Sequence, residues 1–362
     1  MSTLISSPHI HNGDSIRANM LSVILALMPA TIVALYMFGW LAAFIIVLCV
    51  GGCMAMEWLC LAWMGRSTAP VGDGSAALTG LLLALTLPAA VPWWIPLIGC
   101  VVAIGLSKQV YGGLGHNPFN PALAARVVLL ISFPLQMTSW ITPMHLAAPV
   151  VDLYDFGQCW KLFWLGPEAL GKSLDAITMA SPLGHVRTEW TRGVGFAAAM
   201  HGYDYGWLDA FLGREAGSLG ETSALALLLG GIYLLARHTI TWHIPVSFIA
   251  TVGLLAAVFH AINPEHFAPP MFHLLAGGLM LGAFYMATDP VTSPVTPKGQ
   301  LAFGVGCGVL TWCIRSFGGY PEGVMFAILL MNSATPLLDR YLRPRVHGKG
   351  RRAAKADGKG HD

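Results

Sequence analysis

Charge is what this chain of 362 residues has least of: Asp, Glu, Lys and Arg together make up only 10% of it, against about 25% in a soluble domain. Ligand spacings for metals are missing too. Its seven cysteines (Cys49, Cys53, Cys60, Cys100, Cys159, Cys307 and Cys313) include no CxxC and no CxxCH. That removes the spacing needed by thiolate-held iron–sulfur clusters, structural zinc and c-type haem. The cysteines read instead as packing thiols, since free Cys is usually buried and inert. The histidines, among them His9, His11, His116, His243, His260, His266 and His273, form no HExxH. No GK[ST] follows the glycines at 112, 113 and 115, so a phosphate-cradling loop is excluded. If this chain carries electrons, an organic cofactor must hold them. A nucleic-acid partner is not expected.

Apolar residues are there in abundance, at 55% of the chain with a mean hydropathy of +0.63. Apolar runs near the ~20 residues that cross a hydrocarbon core recur along it. The expected fold is an all-α polytopic membrane protein with about ten transmembrane helices, at roughly 20–38, 41–64, 76–91, 93–111, 122–140, 221–236, 243–261, 271–288, 300–315 and 321–338. The third run is short and ends in Pro88, which suggests a broken or tilted helix. No A-x-A site follows the first run, which favours an uncleaved span over a signal peptide. Four regions follow: a first membrane half at 1–140, a loop at 141–220, a second half at 221–338 and a basic tail at 339–362.

Orientation follows from where Lys and Arg flank the spans. With the N-terminus in the cytoplasm, Arg17, Arg66, Lys108, Arg126, Arg237 and Lys298 fall at the inner face, as does the basic tail. Among the short outer connections only Arg315 is cationic. The loop from Trp140 to Gly220 then lies outside, with five Lys/Arg against eight Asp/Glu, a net −3. Trp40, Trp93, Trp94, Trp140 and Tyr341 read as interface anchors.

The two halves echo each other. "LTGLLLALTLP" (78–88) is similar to "LAGGLMLGAFYMATDP" (275–290), and "KQVYGGLGHNP" (108–118) to "IRSFGGYPEG" (314–323). The first glycine pair falls at the inner face and the second at the outer one. This is the pattern of an inverted five-plus-five repeat, whose binding sites tend to lie where the halves meet.

Three places could carry chemistry. In "YGGLGHNPFNPALAARVV" (111–128), glycines permit positive φ and Pro118 and Pro121 stop helix continuation. Asn117 and Asn120 there present amides suited to a polar ring edge or an ion; equally, they could only satisfy backbone groups in a tight turn. Glu57 lies deep in the second apolar run, where an ionisable group is a candidate for an ion path. The plainer reading pairs it with a backbone group or with Lys108. Asp289 fits a turn, although Thr288, Thr292 and Ser293 beside it would also suit ion coordination. The third place is "LDAITMASPLGHV" (174–186) in the outer loop, with one acid, two hydroxyls and a proline.

Several stretches in order, "SSPHIHN", "YGGLGHNPFNPA", "LLISFPLQMTSW", "WHIPVSF", "ATDPVTSP", "RSFGGYPEGVMFA" and "RPRVHG", resemble the D-subunit family of the Rnf ion-translocating oxidoreductase complex. That family is homologous to the B-type membrane component of the sodium-translocating NADH:quinone reductase. The resemblance covers residues 1 to about 348. It implies a multi-pass component of the bacterial inner membrane, both termini cytoplasmic and the loop 141–220 periplasmic. The complex would couple electron transfer between ferredoxin and NAD to Na⁺ or H⁺ movement, with iron–sulfur and second flavin subunits as partners. The resemblance further implies FMN joined through its phosphate to a hydroxyl by a separate flavin transferase. The recognition pattern falls on Asp175, Thr178 and the acceptor Ser181, where the family usually has Thr; Met179 stands where a small residue is usual. Serine keeps the nucleophilic oxygen but lacks the methyl that restricts χ1. Asn117 and Asn120 match the pair that contacts a noncovalent riboflavin in the homologous quinone-reductase component. No complete active site is expected on this chain alone. Two other classes remain: an inverted-repeat channel or solute transporter without a redox role, and a scaffold for redox partners.

Overall fold

A computed structural model describes residues 15–143, 151–171, 177–201 and 206–343. Helix is nearly the only regular structure among them, with one two-residue antiparallel strand pair, Trp140–Ile141 against Thr178–Met179. Two helices, Ile16–Trp63 and His243–Ile262, are long and apolar enough to cross a membrane. Shorter apolar helices span Ser75–Thr86, Trp94–Gln109, Pro121–Ser132 and Ala224–Ala236, and the described chain closes with Pro297–Phe317 and Val324–Tyr341. Large apolar side chains stand on the outside of the bundle, such as Val47 and Ile262 at 71% exposure each. That surface suits hydrocarbon rather than water.

The first helix is one element only in name. Gly39 sits at φ 55° and ψ −134° and turns the chain back, so Ile16 and Asn19 of one arm line the same groove as Glu57 and Leu61 of the other. Trp40 N–H, freed by the turn, donates to Leu153 O at 3.1 Å. A Cβ on Gly39 would collide with that same carbonyl, so the turn needs glycine both for its dihedral and for the approach. Other breaks follow proline and glycine. The helix Ser75–Thr86 stops before Pro88, as expected. The expected span 122–140 stops early, at Ser132, because Pro134 forces Phe133 out of the helical region. The expected span 271–288 is broken into Pro270–Leu275, Leu279–Leu281 and a π-helix Gly282–Met286, with Gly277 at φ 76° between the first two.

The bundle has two ends, which the 13-residue helix Ala224–Ala236 separates by about 20 Å. At one lie the loop 112–115 and residues Leu234 and Thr239; at the other, Trp140, Ser181, Glu215 and Glu221. We call these the glycine-loop end and the long-loop end. Packing between them is close. Tyr285 Oη donates to Ala26 O (3.2 Å) or Leu227 O (3.0 Å), and a Cβ on Gly230 would strike both Ala26 O and the Tyr285 hydroxyl.

Three sequence expectations change here. Arg126 is not an end-of-span cation but is 1% exposed inside its helix, near Met137 and Trp140. Arg315 is also buried; its Nη1 and Nη2 donate to His273 O (2.6 Å) and Ala276 O (3.1 Å), carbonyls left open where the helix 270–275 breaks. Trp140, 7% exposed, packs beneath Arg126 instead of anchoring at an interface. Of the six supposed inner-face cations, Lys108 is also fully buried. A count of charges along the sequence cannot tell a loop cation from one turned inward.

Candidate functional site

At the glycine-loop end, Glu57 and Lys108 meet at 2.6 Å, each 2% exposed. Gln109 Nε2 donates to the same Glu57 oxygen at 2.9 Å, and Lys108 Nζ donates to Ser75 Oγ at 2.7 Å. Adjacent residues of an α-helix point about 100° apart. Here Val101–Gln109 is a π-helix, whose wider turn lets Lys108 and Gln109 address one carboxylate. The pairing with Lys108 is therefore real. Glu57 Oε2 and Gln109 Oε1 remain buried without a hydrogen-bond partner, and both residues line the groove beside Arg66, Asp73 and the loop 112–115.

Next to that groove is a cavity lined in part by Ser75, Lys108, Asn117, Asn120, Thr288 and Asp289. The two asparagines differ. Asn120 caps the helix Pro121–Ser132, its Oδ1 accepting from Ala122 N (3.1 Å) and Leu123 N (3.4 Å) while its Nδ2 donates to Met286 O (3.3 Å). Both heavy atoms of its amide end already bond to backbone. Asn117 donates to Phe119 O (3.0 Å), but its buried Oδ1 has no partner. Asp289 accepts from Val291 N (3.2 Å) and Thr292 Oγ1 (3.3 Å), the geometry of a turn residue.

At the long-loop end, Ser181 is the N-cap of the helix Pro182–Thr191, its Oγ accepting from Gly184 N at 3.1 Å. It is 9% exposed and borders a small cavity that Trp140, Glu215, Glu221, Gly277 and Glu322 also line. Strand pairing of Thr178 with Ile141 and Met179 with Trp140 fixes the stretch before Ser181 to the bundle. Asp175 lies outside the described residues. Burial, with Asp209 as a second cause, pushes Glu215 up to about 8. Cys159 of the same loop is buried, with its thiol pushed up to about 11 by that burial, and fits a packing role.

The acids at 221 and 322 are functional candidates that sequence reading passed over. Glu322 sits inside a quoted motif, "RSFGGYPEG", where the glycines drew attention and the acid did not.

Comparison with known proteins agrees with this architecture. The model of the NQR2, RnfD, RnfE family matches residues 3–348. The chain belongs to that family. A relative from Stutzerimonas stutzeri, named as the D subunit of an ion-translocating oxidoreductase complex, is 48% identical over 339 residues, 94% of each chain. Relatives of the same name from Halorhodospira halophila (42% over 356 residues, 98% of each chain) and Escherichia fergusonii (43% over 353, 95% of this chain and 98% of that one) are similar throughout. The resemblance drawn from the quoted motifs thus holds across the whole chain.

Proposed function

We propose that this chain is the flavin-carrying membrane subunit of an Rnf-type complex that couples electron transfer between ferredoxin and NAD to the movement of Na⁺ or H⁺. Whole-length similarity to proteins named as the D subunit of an ion-translocating oxidoreductase complex is the observation that carries this reading. In it the chain crosses the bacterial inner membrane with both termini cytoplasmic, the glycine-loop end inward and the long loop periplasmic. The other subunits would bear the iron–sulfur clusters and the second flavins. The opposite placement of the two glycine pairs supports an inverted five-plus-five repeat: Gly112 and Gly113 border the groove at one end, and Pro321 and Glu322, just after Gly318 and Gly319, border the cavity at the other.

FMN is assigned to Ser181, attached as a phosphoester by a flavin transferase that reads Asp175 and Thr178. The surroundings fit a phosphate in one respect: Ser181 stands at the N-terminus of a ten-residue helix, where backbone N–H groups and the helix dipole favour an anion. They constrain it in another, because Glu215, Glu221 and Glu322 line the same cavity. A bound flavin would therefore extend from the cavity mouth toward solvent. When bound, FMN supplies one- and two-electron redox chemistry that no side chain here can. Riboflavin is assigned to the glycine-loop cavity, held by Asn117, whose free Oδ1 can accept from a ring N–H; Asn120 shapes the site as a cap. Glu57 is placed on the ion path.

Denaturing electrophoresis of the chain made with the transferase tests the covalent claim. A fluorescent band in the wild type, lost in Ser181→Ala and kept in Ser181→Thr, is expected. A wild type without fluorescence overturns it. A channel or solute transporter without a redox role predicts no flavin in either place.

A further inference from the structure

At the long-loop end, Glu221 and Glu322 come from different elements, the turn before the helix Ala224–Ala236 and the turn before Val324–Tyr341. Both carboxyl groups line the cavity beside Ser181 and converge on Gly278. Gly278 N donates to Glu322 Oε1 at 2.5 Å, and Ser218 N to Glu221 Oε2 at 3.4 Å. A Cβ at Gly278 would stand 2.7 Å from Glu322 Oε1 and 3.2 Å from Glu221 Oε1. The break in the helix is shaped around these two oxygens.

A second, separate observation points the same way. Arg126 is only 1% exposed, and its Nε has no partner. Its guanidinium meets the Met137 sulfur and, at 6.0 Å, the Trp140 ring. The ion pairs found among the described residues are Glu57–Lys108, Glu189–Arg192 and Asp209–Arg214, and none includes it. Yet Glu322 and Glu221 are the charges that act on it.

We propose that Glu221 and Glu322 form a one-proton binding site that exchanges with water through the cavity beside Ser181. Two ionised carboxylates are acceptors only and repel at this distance; one shared proton turns the contact into an O–H···O⁻ hydrogen bond. The remaining single negative charge acts on Arg126 of the helix Pro121–Ser132 and lies near Arg315 of Pro297–Phe317, whose Nη2 borders Gly277 together with Glu322 Oε1. Glu215 faces the pair across the cavity from the connecting segment. His273, whose carbonyl holds Arg315, and Arg187 line the cavity next to it. On release the proton passes to cavity water, leaving two carboxylates opposite two guanidiniums; no other bond changes and nothing is oxidised or reduced. The site stands whether or not Ser181 carries a flavin.

Infrared spectroscopy of the full-length chain in lipid nanodiscs tests this. Near neutral pH, the wild-type spectrum minus that of Glu221→Gln should show one carboxylic-acid C=O band, and so should the wild type minus Glu322→Gln. Because one proton is shared, the double variant should lose no more than either single one. A difference spectrum without an acid band in both cases overturns the proposal. So does a band that added Na⁺ removes at constant pH, which would make the pair a cation site. If neither variant assembles, carbodiimide labelling of the wild type, read by peptide mass spectrometry, decides. Label on Glu221 or Glu322 that falls as pH rises supports the site, and absence of label on both overturns it.

Discussion

The two ends of the bundle handle buried charge in opposite ways. At the glycine-loop end a cation and an acid, Lys108 and Glu57, neutralise each other at 2.6 Å, each 2% exposed. At the long-loop end Arg126 has no ion partner among the described residues, and two acids lean on each other instead. A paired charge is held by its partner, so removing either is costly. A cation without an ion partner, near two acids that can take up a further proton, can be lost with that uptake as an offset. Lys108→Met should therefore destabilise the chain by about 3–5 kcal/mol, the cost of stranding a buried carboxylate. The double variant Glu57→Gln/Lys108→Met should recover most of it. Arg126→Met should cost less than Lys108→Met, because the acids at 221 and 322 can take up a second proton in place of the lost guanidinium. Thermal unfolding in detergent measures all three. Equal losses from Lys108→Met and Arg126→Met would break the comparison.

A smaller effect sharpens it. Gly278→Ala places a Cβ 2.7 Å from Glu322 Oε1 and should cost about 1–3 kcal/mol, as overpacking does. Gly51→Ala, in the interior of the first helix, has nothing within 4 Å of its Cβ. It should gain a few tenths of a kcal/mol or leave stability unchanged, since Ala suits a helix better than Gly. Smaller again are the caps. Asn120→Ala should cost about 1 kcal/mol through its helix N-terminus, while Asn117→Ala should leave unfolding nearly unchanged and lower extractable riboflavin. If the two variants behave alike in both readouts, the division between cap and ligand fails.

How far the sequence reached depends on which forces it could show. Apolar runs and prolines speak for themselves, so the break before Pro88 and the buried depth of Glu57 were both legible. The Gly39 hairpin was legible as a gap between two runs, although the dependence on Leu153 O was not, because that carbonyl lies more than a hundred residues away in the chain. The same is true of the charges. Arg126 looked like an end-of-span cation because its inward turn depends on Trp140 and on two acids from distant segments. The broken helix at 276–278 was missed since "LLAGGLML" keeps its apolar character through the break. The break presents a backbone N–H to Glu322, and a hydropathy pattern carries no trace of that. Asn117 and Asn120 stand in one motif, but the difference between their hydrogen-bond partners is one that no spacing reveals.

The gentlest test of the comparison is pH, and its sign is fixed. Glu215 stands in the loop outside the apolar helices, with burial pushing it from an ordinary 4.5 up to about 8. Between those values the folded chain holds a proton there that the unfolded chain has lost. Stability must then fall as pH rises from about 4.5 to about 8 and level off above it. Below that window both states are protonated, and Glu215 costs the fold nothing. Glu215→Gln keeps the size and removes the titration. Its melting temperature should match the wild type near pH 5, exceed it increasingly toward pH 8, and hold a constant lead beyond. A gap between wild type and Glu215→Gln that stays constant from about pH 5 to about pH 9 would mean that water reaches Glu215 freely. The long-loop end would then be no more protective of its acids than an open surface.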